Sequence, residues 1–131
     1  MIVWLNGTFG VGKTTVSGHL SAINQVTGQH LVAAQSVLVE GYWREILAGL
    51  ADLRHDVFHV LLDADAGTLH ARIDADDDEP VRIRPWRHRH VEVYESALDW
   101  LRPAADLVVD TQTLDAPALS RRIQSEIGPR L

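Results

Sequence analysis

The chain has 131 residues, no cysteine and a formal net charge of −6. That length suits one domain with its own core, and the missing cysteines exclude a disulfide framework or a thiolate metal site. The acidic balance argues against general nucleic-acid binding, and no apolar run is long enough to cross a bilayer, so a cytoplasmic protein without a membrane span is expected.

In chain order, residues 2–6 form a short apolar run closed by Gly7, which predicts a buried first strand and not a signal peptide. From Lys13, apolar residues recur at Val16, Leu20 and Ile23 with a helical period, and Thr27-Gly28 breaks the chain. Leu31 to Val39 is rich in valine, and at least its first half reads as a strand. Val39, Trp43, Ile46, Leu47, Leu50 and Leu53 fall on one face of a following helix. Val57 to Leu62 predicts the next strand, closed by Asp63-Ala64-Asp65, with a short helix over roughly Gly67 to Ile73. Asp74 to Pro85 is acidic, then basic, and reads as a mobile excursion. Val91, Tyr94, Leu98 and Leu101 stripe a helix that Pro103 stops. Leu107-Val108-Val109 is a last strand, and Asp115 and Pro117 open a final helix carrying Leu119, Ile123 and Ile127. Alternating strands and helices predict an α/β domain whose parallel sheet is covered on both faces.

The most informative segment is Gly7-Thr8-Phe9-Gly10-Val11-Gly12-Lys13-Thr14, which matches G-x-x-x-x-G-K-[ST] in full. A loop that wraps an anion in backbone N–H groups needs glycine where φ is positive or a side chain would block the approach. Lys13 then reaches the β- and γ-phosphates, the Thr14 hydroxyl completes a magnesium shell, and the helix after Gly12 aims its positive end at the anion. Lys13 is the only lysine in a chain otherwise cationic through arginine. Codon bias explains the arginines, and it leaves the one slim, mobile ammonium where a phosphate loop requires it. The expected ligand is ATP with Mg2+, held by residues Gly7 to Thr15, namely Gly7, Thr8, Phe9, Gly10, Val11, Gly12, Lys13, Thr14 and Thr15.

From this loop onward the sequence resembles the P-loop kinases, and more narrowly the tunicamycin-resistance protein family, relatives of chloramphenicol phosphotransferase and other small-molecule kinases. Ile2 to Thr15, Thr27 to Val32, Tyr42 to Ile46, Leu69 to Ile73 and Trp86 to Tyr94 carry the resemblance. It implies a nucleoside-kinase-like P-loop NTPase fold over residues 1–131, three layers α/β/α around a mostly parallel sheet, with a flexible LID at about 74–90. In such proteins a second strand and one or two helices separate the phosphate-loop helix from the strand that begins here at His30. That substrate-side segment is shortened or absent around residues 21–26, and the mobility of such flaps favours absence.

The same resemblance reads Arg72 as the arginine that reaches ATP from the LID entry. Arg82, Arg84, Arg87 and Arg89 follow, and arginines that close over a transferring phosphoryl group stabilise its charge. Lys13, Arg72, Arg84 and Arg87 are therefore the candidate catalytic residues. Asp76-Asp77-Asp78-Glu79 reads as a solvated tip pairing with these arginines. His88 and His90 project to different sides of a helix. Asp65 is expected to cap a helix, and Asp63 is a weaker candidate for contact with magnesium-bound water. Gln35 and Ser36 stand where many phosphate-loop enzymes carry a magnesium-orienting aspartate. Arg44 and Glu45 read as a surface pair or as the lining of an acceptor pocket. Two functions follow: an ATP-dependent phosphotransferase acting on a small hydroxylated molecule, with resistance to tunicamycin-like antibiotics as its context, or a nucleotide-binding protein without transfer activity.

Overall fold

The structure, a computed structural model, describes residues 1–8, 13, 18 and 31–128. Within them four strands, β1 (Ile2–Asn6), β2 (Leu31–Ala34), β3 (Val57–Asp63) and β4 (Leu107–Asp110), form one parallel sheet in the order β2-β1-β3-β4. Ile2 pairs with Leu31 on one side and Val57 on the other, and Val60 of β3 pairs with Leu107 of β4. Val60, Leu61 and Leu62 are all 0% exposed. Successive strand residues point to opposite faces, so both faces of β3 are covered, as an uninterrupted apolar run predicts. Because every strand runs the same way, Asn6, Ala34, Asp63 and Asp110 end at one edge, where open α/β sheets receive ligands.

Four helices accompany the sheet among the described residues: α1 (Glu40–Asp52), α2 (Ala66–Ala75), α3 (Arg84–Ala104) and α4 (Ala116–Ile127). Asp65 caps α2 by accepting from Thr68 N at 2.7 Å, and Asp115 caps α4 by accepting from Ala118 N at 2.9 Å. Leu69, Ile73, Val91, Tyr94, Leu101 and Ile123 pack with Leu5 and β3 into one core. Asp115→Ala is expected to cost about 1 kcal/mol of stability, the usual worth of such a cap, read as a lowered thermal midpoint.

Three expectations need correction. The excursion expected to run to Pro85, within a LID over 74–90, ends earlier: a 3-10 turn occupies Val81–Ile83, and α3 begins at Arg84. Pro85 lies in the first turn of α3, where its fixed φ and missing N–H suit a helix start. The reading of Pro85 as loop missed this. Pro103 does not stop α3 but sits inside its last turn. The apolar stripe of α1 buries only Trp43, while Val39, Leu47 and Leu53 are exposed. Periodicity identifies an apolar face but not the element that covers it. The expectations for Phe9 to Gly12, for Thr14, Thr15 and the rest of the first helix other than Lys13 and Gly18, and for the segment around 21–26 lie outside the described residues.

Candidate nucleotide site

The end of β1 leads directly into the phosphate-loop sequence. Gly7 adopts φ 149°, a region L side chains rarely enter, so glycine is required there. Its N–H donates to the Asn6 side chain at 2.9 Å, and its carbonyl accepts from Ser36 Oγ at 2.6 Å. Thr8 is buried, and its hydroxyl donates to the His90 carbonyl on α3 at 3.4 Å. Lys13 is helical and turns its ammonium back on the loop entrance, donating to the carbonyls of Gly7 and Thr8 at 3.0 Å each. Burial, and then the nearby charge of Arg87, lower its pKa to about 8.

Two arginines face the same space from other elements. Arg72, in the last turn of α2, donates from one guanidinium nitrogen to Thr111 Oγ1 at 2.9 Å and from the other to the Thr111 carbonyl at 3.0 Å. Thr111 is itself tied to the Asp63 carbonyl, so Arg72 rests on the ends of β3 and β4. Arg87, in the first turns of α3, is only 7% exposed and pairs with Asp76 Oδ2 at 3.1 Å. A cavity of about 960 Å³ is lined by Thr8, Lys13, Ser36, Arg72, Asp76 and Arg87 on its polar side. Val37, Leu38, Tyr42, Ile46, Trp86 and Val93 supply an apolar wall. Glu79 lines the polar side as well, so three cations there face two carboxylates, and this net positive end joins an apolar one, which suits a polyanion bound beside a less polar molecule.

Of the four candidate catalytic residues, the structure brings Lys13, Arg72 and Arg87 to this cavity and places Arg84 elsewhere. Arg84 lies one turn before Arg87, donating to the Asp76 carbonyl at 3.4 Å and standing 3.8 Å from Asp77. Arg82 and Arg89 are exposed. The acidic stretch is thus not uniformly solvated: Asp76 serves as the counter-charge of a buried arginine. Asp63 has both oxygens engaged within the protein, accepting from the Tyr94 hydroxyl and, at 3.2 Å, from Arg102. Burial and that carboxylate raise the Tyr94 pKa, so the phenol stays a donor. Asp65 accepts from Thr68 and from Gln112 Nε2 at 2.8 Å. Arg44 pairs with Glu40 across one turn of α1, on the surface, and Tyr42 and Ile46 line the cavity instead. His88 contacts His70 at 2.6 Å and Asp74 at 2.7 Å, while His90 contacts the Trp86 carbonyl at 2.9 Å. Among the described residues no cluster of three or more histidines, aspartates and glutamates could hold a metal ion.

Sequence reading missed Asn6 and Val37, and it expected Asp76 only within a solvated tip pairing with the arginines, not as the partner of a buried one. No motif marks Asn6 or Val37. The one available signal was the convergence of strand ends in a parallel sheet, which puts residues just after β1 and β2 beside each other.

Among solved structures similar to this one is the tunicamycin resistance protein of Deinococcus radiodurans. It has a TM-score of 0.67 at 21% sequence identity, covering 97% of this chain and 95% of that one. A shikimate kinase from Acinetobacter baumannii, in complex with shikimate, has a TM-score of 0.62 at 18% identity, covering 99% and 94%. No family model matches the sequence, and no curated protein does. At such identities the likeness establishes the fold, which is P-loop kinase-like α/β. No helix among the described residues is long and apolar enough to cross a membrane.

Proposed function

We propose that the chain binds Mg-ATP at the cationic end of this cavity and transfers its terminal phosphoryl group to a small hydroxylated molecule held against the apolar wall. The observation that carries this reading is the meeting of Lys13, Arg72 and Arg87, from three separate elements, around one cavity that begins at a phosphate-loop motif. Three cations in a partly buried space suit the negative charge of a triphosphate. The volume of about 960 Å³ is ample for a nucleotide with a small acceptor beside it. The motif assigns the phosphate cradle to Gly7–Thr15 and a magnesium ligand to the Thr14 hydroxyl, and magnesium would supply charge neutralisation at the phosphates. Lys13 would hold the β- and γ-phosphates, and Arg87 would face the charge that develops during transfer. Arg72 would meet the nucleotide from the α2 side. Such a reaction depends mainly on positioning and charge stabilisation. The kinase neighbour supports transfer chemistry, and the tunicamycin resistance neighbour supports an antibiotic of that kind as acceptor or context.

A second reading, nucleotide binding without transfer, is favoured by the end of β2. Gln35 and Ser36 stand there without a carboxylate, and the Ser36 hydroxyl is engaged by the Gly7 carbonyl. ATP turnover measured with and without a panel of nucleosides, sugars and antibiotics separates the two. Stimulation by one acceptor supports transfer. Tight Mg-ATP binding with no turnover for any acceptor supports the second reading, and no binding at all overturns both.

The lowered pKa of Lys13 makes a further expectation. Its ammonium form attracts phosphate, so affinity for ATP should weaken as pH rises through about 8. Bound phosphate raises the pKa again, so binding between pH 8 and 9 should draw in a proton, read by calorimetry in buffers of different ionisation enthalpy. The stability of the unliganded fold runs oppositely. The unfolded chain keeps its Lys13 proton up to the ordinary value of 10.5, the folded one only to about 8. The unfolded state binds more protons in that window, so the Lys13 contribution to stability rises with pH across it.

A further inference from the structure

Next to Gly7, at the end of β1, lies a buried titratable group without a part in the proposed transfer. Asn6 is 0% exposed and His59 2% exposed. The Asn6 carbonyl oxygen accepts from Gly7 N at 2.9 Å and from Val37 N at 2.8 Å, and its amide nitrogen donates to the Val37 carbonyl at 2.8 Å. Rotating this amide by half a turn would set N–H against two backbone N–H groups and oxygen against a carbonyl. The backbone therefore permits one orientation. Gly7 opens the phosphate loop, and Val37 follows β2 in the cavity wall. One side chain thus ties together the two rims of the cavity.

The second amide hydrogen needs an acceptor, and the group facing it is His59 Nε2, at 3.3 Å. The other ring nitrogen, Nδ1, stands 3.3 Å from the Ala104 carbonyl, which only accepts. Nδ1 must then carry the proton and Nε2 the lone pair, so one neutral tautomer satisfies both neighbours. An imidazolium would set N–H against N–H at Asn6, in a place that water does not reach.

We propose that Asn6 and His59 form a positioning pair for the phosphate loop: neutral His59 holds the amide that joins Gly7 to Val37, and protonation of His59 breaks that join. The groups packed against the ring agree with a neutral resting state. From α1 comes the Trp43 ring, with centroids 4.2 Å apart; from β1 comes Asn6; from the end of α3 comes the Ala104 carbonyl. The charged group facing it is Asp106, which accepts from His59 N at 2.8 Å. Burial lowers the pKa of His59 and outweighs the Ala104 carbonyl and Asp106, which raise it. The join is therefore intact at neutral pH and lost in acid.

The device rests on the nucleotide reading only for its consequence, and its test does not need nucleotide. The backbone amide resonances of Gly7 and Val37, followed by NMR against pH, should move with the same midpoint as the His59 ring. In His59→Gln that component should disappear, since a glutamine oxygen can accept from Asn6 but does not titrate. In Asn6→Asp a carboxylate replaces the amide donor and favours the imidazolium, so the His59 midpoint should rise by about 1 unit or more. A side chain that merely fills space would move neither. Gly7 and Val37 resonances indifferent to the His59 titration, or unchanged in His59→Gln, would overturn the proposal. So would an unmoved His59 midpoint in a folded Asn6→Asp; if that variant does not fold, the His59→Gln comparison decides. ATP affinity should carry an acid limb that His59→Gln lacks. Absence of ATP binding at every pH would overturn the nucleotide reading and leave the NMR outcome intact.

Discussion

Lys13→Ala is expected to lower Mg-ATP affinity at least tenfold, about 1.4 kcal/mol or more, because a charge-assisted phosphate contact is lost. The ammonium is the one lysine in the chain and sits at the loop entrance, within reach of the Gly7 and Thr8 carbonyls. Its removal should not unfold the protein. Ser36 still donates to the Gly7 carbonyl at 2.6 Å, so that acceptor keeps a partner. The variant also removes a desolvated charge whose burial disfavours the folded state at neutral pH. Weak binding with an undiminished thermal midpoint is therefore the expected pair of results. Calorimetry showing unchanged affinity in a folded variant would count decisively against the phosphate loop as the nucleotide site.

Arg87→Gln is expected to reduce turnover by about 10²–10³-fold while changing ATP affinity far less, the pattern of a donor aimed at charge that develops in the transition state. The structure favours Arg87 over the neighbouring arginines. It is the buried one, it lines the cavity with Lys13, and Asp76, also in the cavity lining, pairs with its guanidinium at 3.1 Å. Arg84, on the same turn, is outside the cavity and should tolerate the same change with a small effect. Losing Arg87 also removes a positive neighbour of Lys13, so the Lys13 pKa should rise toward its ordinary value. Steady-state kinetics and calorimetry on the same preparation separate the possibilities. Equal losses of turnover and affinity would make Arg87 a ground-state binding group.

Much of the fold was legible because its signals are local. The apolar runs at 2–6 and 57–62 need only burial on both faces to become strands, and Asp65 and Asp115 need only a free N–H within reach to become caps. The site was legible in part. Gly7, Thr8 and Lys13 come from one contiguous motif, and Arg72 came from resemblance. Choosing Arg87 and setting Arg84 aside was not possible from the chain, since both sit in one basic stretch three residues apart. In α3 they lie one turn apart on the same side and both reach Asp76, Arg84 its carbonyl and Arg87 its carboxylate, but only Arg87 also lines the cavity.

By itself the order of residues determined the alternation of strands and helices, the phosphate-loop motif and its solitary lysine, because hydrophobic period, capping and loop chemistry act between near neighbours. Only the tertiary structure decided which arginine lines the cavity, that Asp76 is its counter-charge, that Asp63 anchors β3 to α3, and that Asn6 and His59 meet next to Gly7. Those relations join residues from 11 to 53 positions apart. Parallel pairing brings the strand ends to one edge, and burial there demands that each polar group find a partner, a constraint that exists only once the chain has folded.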